Sequence, residues 1–347
     1  MKKNQKIKKL SGLIIGCGSI GERHLFNLQK LGLKDIIIYD KDLTQLKKIE
    51  NKYSVKSFSN IDKAFSAKPD FSIICTHPIS HITFGEKSLK NNVHVFMEKP
   101  LSHELKNVKQ FLNKSESKKI KISVGYNFRY NLGLNYIKNF FAKNSITPSF
   151  ISSTVGNHIK NWRPNSNYKN HYILNKGGGI ILDASHEFDF VRWLLDDKVV
   201  SVYCQSIKTS KLSKKTESLA SITLKFKKGT IANFTLDYIR PFYDRKCQFL
   251  TENEIIDWNF SIEPKISKNY NVSSKSLVSY QNHKKKSFSK NFISPVNQMY
   301  KEEINDFLIS LVTNENVKIN GWDAYETLRI ADAALRSSKI NKPIILK

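Results

Sequence analysis

The chain has 347 residues, of which 40% are hydrophobic and 11% aromatic, and a formal net charge of +27 at pH 7. This length suits two domains, and this apolar content supplies ordinary buried cores, which excludes wholesale disorder. The charge is compatible with a nucleic-acid partner, but the lysines are spread along the whole chain instead of forming one basic cluster. We therefore expect no nucleic-acid partner, and the positive field favours an anionic small substrate.

The cysteines and the N-terminus indicate a reduced, cytoplasmic protein. Cys17, Cys75, Cys204 and Cys247 lack the paired spacing of a zinc site or a disulfide framework, so no metal is expected. Residues 1–15, ahead of Cys17, resemble a lipoprotein signal, but their apolar part is short and the next residues complete a glycine motif. No stretch approaches the roughly 18 apolar residues that span a bilayer, so we expect no membrane partner.

Short apolar runs alternate with longer helical patterns through the first third of the chain. Strands buried on both faces are continuous apolar runs, and this alternation predicts a parallel, doubly wound α/β sheet. The predicted strands are 13–15, 36–39, 71–75, 93–97 and 120–125, the last as the sixth strand of the sheet. The predicted helices are 19–30, 43–52, 81–90 and 104–113.

The pattern changes after residue 125. Helices are predicted near 132–141 and 180–195, and alternation of apolar and polar residues predicts antiparallel strands at 221–226 and 230–238, joined by a hairpin turn at 227–229. Residues 263–294 are predicted as a strand with a mobile loop, and helices near 300–312 and 324–337 close the chain. The sequence thus predicts a nucleotide-binding domain over 1–125 and an α+β domain with a largely antiparallel open sheet over 126–347.

A glycine-rich turn stands between the first predicted strand and helix. Residues 16–21 read Gly-Cys-Gly-Ser-Ile-Gly. Gly16 allows the tight turn, Gly18 lets the backbone approach a pyrophosphate, and Gly21 lets the helix pack on the sheet. The pyrophosphate would lie at the N-terminus of the 19–30 helix, against free backbone N–H groups.

Asp40 ends the second strand, roughly twenty residues after this turn, where a carboxylate accepts hydrogen bonds from the ribose of an adenosine. Such a carboxylate repels a 2′-phosphate, which predicts NAD as the cofactor and makes NADP the less favoured one. Lys41, next in the chain, weakens this preference.

Glu98-Lys99-Pro100 follows a predicted strand at the edge of the sheet where such folds bind ligands. A lysine beside a nicotinamide ring can accept or donate a proton during catalysis. The alternative is an ordinary surface lysine, which this composition makes common.

A third group of candidate residues follows Gly177-Gly178-Gly179. On a predicted helix Asp183 and His186 are three residues apart and share a face, and a carboxylate beside an imidazole can handle protons. Two alternatives remain open. Asp183, His186 and Asp189 would form a metal-binding trio, or Asp183 would cap the helix while His186 packs in the core.

The order of these motifs resembles the Gfo/Idh/MocA family of sugar-type oxidoreductases over nearly the whole chain. The motifs that carry the resemblance are the glycine turn with His24, Thr76-His77-Pro78 with His81, Glu98-Lys99-Pro100, Gly125-Tyr126-Asn127-Phe128-Arg129, Trp162-Arg163-Pro164, the Gly-rich Asp/His helix and Asn297-Gln298-Met299-Tyr300. Trp162-Arg163-Pro164 with Ser185-His186-Glu187 is similar to members associated with bacterial surface-sugar and sialic-acid-like biosynthesis.

The resemblance implies a Rossmann domain, an oligomer (a homodimer or homotetramer) and a hydride transfer between NAD and a sugar or sugar derivative, including a nucleotide sugar or a nonulosonic acid. The implied cofactor-binding residues are Gly16, Gly18, Ser19, Ile20, Gly21, Asp40, Thr76, His81, Glu98, Lys99, Asn127, Trp162 and Arg163. The implied catalytic residues are Lys99, Asp183 and His186, and the implied substrate-binding residues are these three with Arg129.

Two departures from the family pattern leave the principal base open between Lys99 and His186. His186 is three residues after Asp183, where many members have four, and the stretch from Thr76 to His81 is one residue short or shifted. Two further alternatives share these motifs. One is a hydrolase or lyase that retains NAD and oxidises the sugar transiently, and the other is a non-catalytic sensor of NAD or sugar.

Overall fold

The computed structural model describes residues 2–162, 178–209, 216–263, 271–276 and 290–347. The chain divides into two compact units, Met1–Asn127 with Met299–Glu326, and Phe128–Gln298 with Thr327–Lys347. The predicted division gave residues 299–326 to the second domain, and the structure differs there. The reason is that Ile304, Phe307 and Leu308 of this segment are buried in the core of the first unit.

The first unit contains a six-stranded parallel sheet in the order β3-β2-β1-β4-β5-β6. Its strands are β1 (Gly12–Ile15), β2 (Ile36–Tyr39), β3 (Lys56–Phe58), β4 (Phe71–Ile74), β5 (His94–Glu98) and β6 (Ile122–Gly125). This confirms the predicted doubly wound sheet. The strand order reverses between β1 and β4, and such sheets bind dinucleotides at the carboxyl ends of the strands at that point. The edge strand β3 has no buried residue, so no apolar run marks it in the sequence.

Six helices connect and cover these strands. They are α1 (Lys2–Ile7), α2 (Ser19–Lys30), α3 (Leu43–Tyr53), α4 (Ile61–Phe65), α5 (His81–Lys90) and α6 (Val108–Ser117). The Asp42 side chain caps α3 by accepting hydrogen bonds from two backbone N–H groups. The helix predicted at 104–113 begins later, at Val108, because the preceding Asn107 has a left-handed backbone (φ 63°) that interrupts a helix.

The second unit contains a nine-stranded sheet in the order β14-β13-β12-β11-β7-β10-β9-β8-β15. Its strands are β7 (Phe150–Gly156), β8 (Val199–Ile207), β9 (Leu219–Phe226), β10 (Ile231–Asp237), β11 (Asp244–Leu250), β12 (Ile255–Glu263), β13 (Asn271–Ser276), β14 (Lys290–Pro295) and β15 (Ile344–Ile345). β7 and β10 pair in parallel, and the other described pairs of neighbours are antiparallel. This confirms the predicted, largely antiparallel sheet.

The predicted hairpin is the pair β9 and β10. Gly229 at its turn has a φ of 106°, a conformation that favours glycine. The strand and loop predicted over 263–294 fall partly on β13 and β14. Residues 264–270 and 277–289 of that prediction lie outside the described residues.

The remaining helices are α7 (Leu132–Asn144), α8 (Ile159–Trp162), α9 (Ile180–Asp183), α10 (His186–Leu195), α11 (Val296–Thr313) and α12 (Gly321–Ile340). The single helix predicted over 180–195 is wrong, because α9 ends at Asp183 and α10 begins at His186. Between them Ser185 and Glu187 donate their backbone N–H groups to carbonyls three residues back, which tightens the turn. In the described part of the chain, no helix combines the length and apolarity needed to cross a membrane.

Candidate active site

The glycine turn lies between β1 and α2, as its spacing predicts. Gly16 has a φ of +99° and donates its N–H to the Tyr39 carbonyl (2.8 Å). A Cβ on Gly21 would lie 1.9 Å from the Gly16 carbonyl oxygen, so only glycine lets α2 begin this close to the turn. A Cβ on Gly18 would meet nothing within 4 Å. The space beside Gly18 is therefore open to a ligand.

The N-terminus of α2 adjoins this open space. Ser19 is exposed and Ile20 is half-buried, and α2 has no side-chain cap on its first N–H groups. Such N–H groups attract a phosphate. The residues present thus fit the pyrophosphate of a dinucleotide.

Asp40 follows β2 and is bonded to the glycine turn. Its carboxylate accepts hydrogen bonds from the backbone N–H groups of Cys17 (2.6 Å) and Asp42 (2.9 Å). Because each carboxylate oxygen has more than one acceptor position, Asp40 can still accept from a ribose. Burial, with the charge of Asp40, raises the pKa of the Cys17 thiol to about 12, which keeps this cysteine protonated.

His81 is buried between the loops that follow β4 and β5. Its ring nitrogens lie 2.8 Å from the Pro100 carbonyl oxygen and 3.0 Å from the Thr76 carbonyl oxygen. The side chain is 0% exposed, and burial lowers its pKa. His81 thereby ties the loop after β4 to the loop after β5, and its implied role in cofactor binding stays a prediction.

Glu98 is the last residue of β5, and Lys99 follows it. Glu98 is buried and lies 2.7 Å from the His24 Nε2 atom, whereas Lys99 is half-buried. The glycine turn, Asp40, Thr76 and Lys99 follow β1, β2, β4 and β5 within two residues of each strand's end, so they gather at one edge of the parallel sheet. Asn127, after β6, is buried and hydrogen-bonded to Tyr300.

Asp183 and His186 flank the break between α9 and α10 in the second unit, and both are half-buried. Tyr238 donates its hydroxyl to the Asp183 carboxylate (3.1 Å). The His186 ring meets the Phe128 ring edge-on, with centroids 5.2 Å apart. The two residues are held by separate contacts, in place of the shared helical face that their spacing predicts.

Glu217 supports the segment that carries Asp183. Its Oε1 atom accepts a hydrogen bond from the Ile181 N–H (3.2 Å), and a Cβ on Gly179 would lie 2.0 Å from that atom. Gly179 therefore leaves room for a buried carboxylate. Burial raises the pKa of Glu217 to about 7. No motif in the sequence marks Glu217 as a functional residue.

Arg129 has a structural partner in the second unit. It donates two hydrogen bonds to Asp189, from Nε (2.8 Å) and from Nη2 (2.6 Å), and both side chains are buried. A guanidinium engaged in this way holds α10 in place, and the implied substrate-binding role of Arg129 stays a prediction. The same pair engages Asp189, and among the described residues Asp183, His186 and Asp189 do not form a group with the spacing of metal ligands.

A second buried ion pair supports His186. Glu187 accepts from Ser153 (2.8 Å) and lies 3.1 Å from the Arg245 Nε atom. The Arg245 guanidinium lies 4.3 Å from the centroid of the Phe128 ring, whose edge contacts His186. This chain of contacts orients the imidazole, and nothing in the local sequence marks Arg245. Trp162 ends α8, but its side chain and Arg163 lie outside the described residues, so their roles remain predictions.

Two family models match the chain, one in each of its two units. Residues 10–126 match the model of an oxidoreductase family with an NAD-binding Rossmann fold. Residues 151–256 match the model of the GFO/IDH/MocA C-terminal domain. The chain belongs to the Gfo/Idh/MocA family. It is an NAD-binding oxidoreductase.

Individual members of the Gfo/Idh/MocA family resemble the chain along its whole length. An uncharacterized oxidoreductase, YrbE, from Bacillus subtilis is 24% identical over 345 residues, with 96% of each chain covered. An inositol 2-dehydrogenase/D-chiro-inositol 3-dehydrogenase from Lacticaseibacillus casei is 25% identical, with 96% of this chain and 93% of the relative covered. The crystal structure of a myo-inositol 2-dehydrogenase from Lactobacillus plantarum has a TM-score of 0.80 at 19% identity, covering 97% of this chain and 99% of the other.

These relatives are named as oxidoreductases or dehydrogenases. Their names give no support to the alternative of a hydrolase or lyase that retains NAD. Membership of the Gfo/Idh/MocA family also confirms the resemblance on which the implied residue roles were based. The roles themselves remain predictions, supported by the contacts described above.

Proposed function

We propose that this protein is an NAD-dependent dehydrogenase that transfers a hydride between the nicotinamide ring and a CH–OH carbon of a sugar or polyol. The observation that carries the proposal is the half-buried Lys99, directly after β5 in a sheet whose glycine turn fits a dinucleotide. The bound cofactor supplies the hydride chemistry. The protein supplies orientation and proton transfer.

Lys99, Asp183 and His186 are the proposed catalytic residues. Oxidation of an alcohol releases the hydroxyl proton, and a lysine amine or an imidazole can accept it. Tyr238 orients the Asp183 carboxylate by a hydrogen bond of 3.1 Å, and a carboxylate has enough acceptor positions to bind a substrate hydroxyl as well. Lys99 is the proposed principal base, with His186 as the alternative.

The proposed substrate is a ring-shaped sugar or polyol that carries a negative charge. A ring polyol is suggested by the names of the inositol dehydrogenases described above. A negative charge is suggested by the net charge of +27, which attracts anions to the protein surface. Sugar phosphates, nucleotide sugars and nonulosonic acids meet both conditions.

The experiment that tests this function follows nicotinamide absorbance with purified protein. NAD and NADP are each combined with inositols, sugar phosphates, nucleotide sugars and nonulosonic acids. We expect NADH to form with one substrate class, and NAD to be preferred because the Asp40 carboxylate repels a 2′-phosphate. No turnover with any substrate, together with cofactor that leaves the protein only on denaturation, would overturn the proposal.

The role of Lys99 is tested by Lys99→Ala, with Lys106→Ala as the control because Lys106 is an exposed lysine close by in the chain. We expect kcat to fall by about 10²- to 10⁴-fold in Lys99→Ala, since proton transfer by a positioned side chain contributes that much. The dissociation constant for NAD is expected to stay within a few-fold in both variants. Equal losses of turnover and NAD affinity would make Lys99 a binding residue instead.

A cytoplasmic setting and a homodimeric or homotetrameric assembly belong to the same proposal. The four cysteines are free and buried, which suits a reducing compartment. Light scattering of the purified protein measures its mass directly. A monomer at micromolar concentration would contradict the proposed assembly.

A further inference from the structure

Three polar side chains meet in the core of the first unit beneath the end of β5. A ring nitrogen of His24 in α2 and one carboxylate oxygen each of Glu98 in β5 and Glu303 in α11 lie within 4.8 Å of one another. All three residues are buried. We call these residues the buried cluster. The sequence motifs that carry the family resemblance include His24 and Glu98 but not Glu303.

The two acidic members of the buried cluster differ in their partners. Glu98 lies 2.7 Å from the His24 Nε2 atom. Glu303 is 2% exposed, and among the described residues neither of its carboxyl oxygens has a hydrogen-bond partner. A buried carboxylate without partners is costly when it is charged.

The packing of α11 holds Glu303 in this position. Phe307, one turn further along α11, contacts the rings of Phe71 in β4 (5.9 Å) and Phe96 in β5 (5.7 Å). Tyr300, one turn earlier, lies beneath the Arg23 guanidinium at 4.4 Å. Because these contacts lie on both sides of Glu303, its side chain cannot move out to water without unpacking the helix.

Glu303 is the member of the buried cluster that holds a proton. Burial, with the charge of Glu98, raises the pKa of Glu303 well above its ordinary value, and Arg23 only partly opposes this shift. Two carboxyl groups this close in a poorly solvated site do not both ionise near neutral pH. Glu98 has the imidazole beside it, so the proton resides on Glu303.

Titratable or charged groups from several elements face Glu303. Those that face it are Arg23 and His24 from α2, Cys75 after β4, Glu98 from β5 and Tyr300 from α11. Burial raises the pKa of Cys75 and the pKa of Tyr300 above their ordinary values, so both stay protonated below pH 9. His24 belongs to the same cluster, so a variant of Glu303 must separate the effect of Glu303 from that of His24.

The buried cluster lies on the nicotinamide side of the sheet. Asp40 after β2 marks the adenosine side of the strand reversal, so a dinucleotide across the reversal places its second half over β4 and β5. That half is a cation in NAD⁺ and neutral in NADH. A charge that appears on the buried cluster therefore acts on one oxidation state of the cofactor and not on the other.

We propose that the buried cluster of His24, Glu98 and Glu303 sets the relative affinity for NAD⁺ and NADH, with Glu303 as the positioning residue whose proton controls its charge. This proposal rests on the proposed function in one respect, namely that the nicotinamide binds on this side of the sheet. When Glu303 loses its proton, the added negative charge favours NAD⁺. By linkage, binding of NAD⁺ lowers the fraction of molecules in which Glu303 carries a proton.

The test measures the dissociation constants of NAD⁺ and NADH between pH 6 and pH 9, without any sugar, so failure of the proposed sugar dehydrogenase activity does not affect it. In the unmodified protein we expect NAD⁺ to bind about tenfold more tightly at the upper end, as a charge near the ring predicts, while NADH changes less than about twofold. Glu303→Gln is neutral at every pH and is expected to abolish this dependence. Glu302→Gln, the same substitution one residue earlier, is the control and is expected to keep it.

Three results would overturn the proposal. In the first, Glu303→Gln keeps the pH dependence, which assigns it to His24. In the second, NAD⁺ and NADH affinities shift together. In the third, elemental analysis finds a stoichiometric divalent metal that Glu303→Gln loses, which makes the cluster a metal site. If Glu303→Gln does not fold, infrared spectra of Glu217→Gln decide, because that variant lacks the carboxyl group of Glu217, whose pKa is also raised to about 7. A proton on Glu303 requires a protonated-carboxyl band at pH 7 in that variant, and its absence would also overturn the proposal.

Discussion

Buried glutamates in the second unit differ in how their charge is compensated. Glu187 has Arg245 at 3.1 Å and the Ser153 hydroxyl at 2.8 Å, and these two partners oppose the rise in its pKa that burial causes. Glu217 is held chiefly by backbone N–H groups, and burial raises its pKa to about 7. The charge of Glu217 therefore destabilises the folded protein, while that of Glu187 is partly compensated by its two partners.

This difference predicts how stability depends on pH. The pKa of Glu217 rises from 4.5 to about 7 on folding. The stability that its protonated form contributes to the folded protein is therefore fully present below pH 4.5 and is lost as the pH rises through about 7. Glu217→Gln keeps the acceptor for the Ile181 N–H and removes the charge. We expect the variant to gain up to about 3 kcal/mol over the unmodified protein between pH 5 and pH 8, measured as the free energy of unfolding in urea.

Glu252→Gln is the matched control, because Glu252 is an exposed glutamate of the same unit. Its free energy of unfolding, relative to the unmodified protein, is expected to vary little with pH. If the difference in free energy of unfolding between Glu217→Gln and the unmodified protein is also constant from pH 5 to pH 8, Glu217 is already charged throughout that range.

At the scale of elements, the strand β1, its glycine turn and α2 act as one unit. Gly18 has an ordinary φ of −66°, and a Cβ there would meet nothing within 4 Å. A Cβ on Gly21 would lie 1.9 Å from a backbone oxygen of the turn. The two glycines therefore serve different purposes, since Gly18 leaves space for a ligand and Gly21 lets the helix pack.

Alanine at each position separates these purposes. We expect Gly18→Ala to leave the thermal unfolding temperature of the cofactor-free protein unchanged and to weaken NAD binding by tenfold or more, because the methyl group occupies the space of the pyrophosphate. Gly21→Ala is expected to lower the unfolding temperature even without cofactor. Unchanged NAD affinity in Gly18→Ala would mean that the pyrophosphate does not approach this residue.

At the scale of the whole molecule, the net charge of +27 predicts the effect of salt on substrate capture. A positive field speeds the encounter with anions, and salt screens it. For an anionic substrate we expect kcat/KM to fall by roughly five- to tenfold between about 20 mM and 200 mM salt. The control is the neutral parent of the same compound, such as an inositol beside its phosphate ester. A salt effect of equal size on both would show that the field does not steer the substrate.

The sequence by itself determined the features that depend on neighbouring residues. The parallel sheet of the first unit, the glycine turn at 16–21 and the hairpin at Gly229 follow from periodicity and from backbone conformations that only certain residues adopt readily. The position of Lys99 at the carboxyl edge of the sheet follows in the same way, because the strand before it contains the apolar run Val95-Phe96-Met97. These signals are local, so a single sequence carries them.

Only the tertiary structure decided which polar side chains meet in the core. Glu303 joins His24 and Glu98, Asp189 joins Arg129, and α11 from Met299 onward belongs to the first unit although it lies near the end of the chain. The break between Asp183 and His186 likewise has no glycine or proline to mark it. The physical reason is that a buried charge is stabilised by whatever partner the fold brings close, and that partner can come from any distance along the chain.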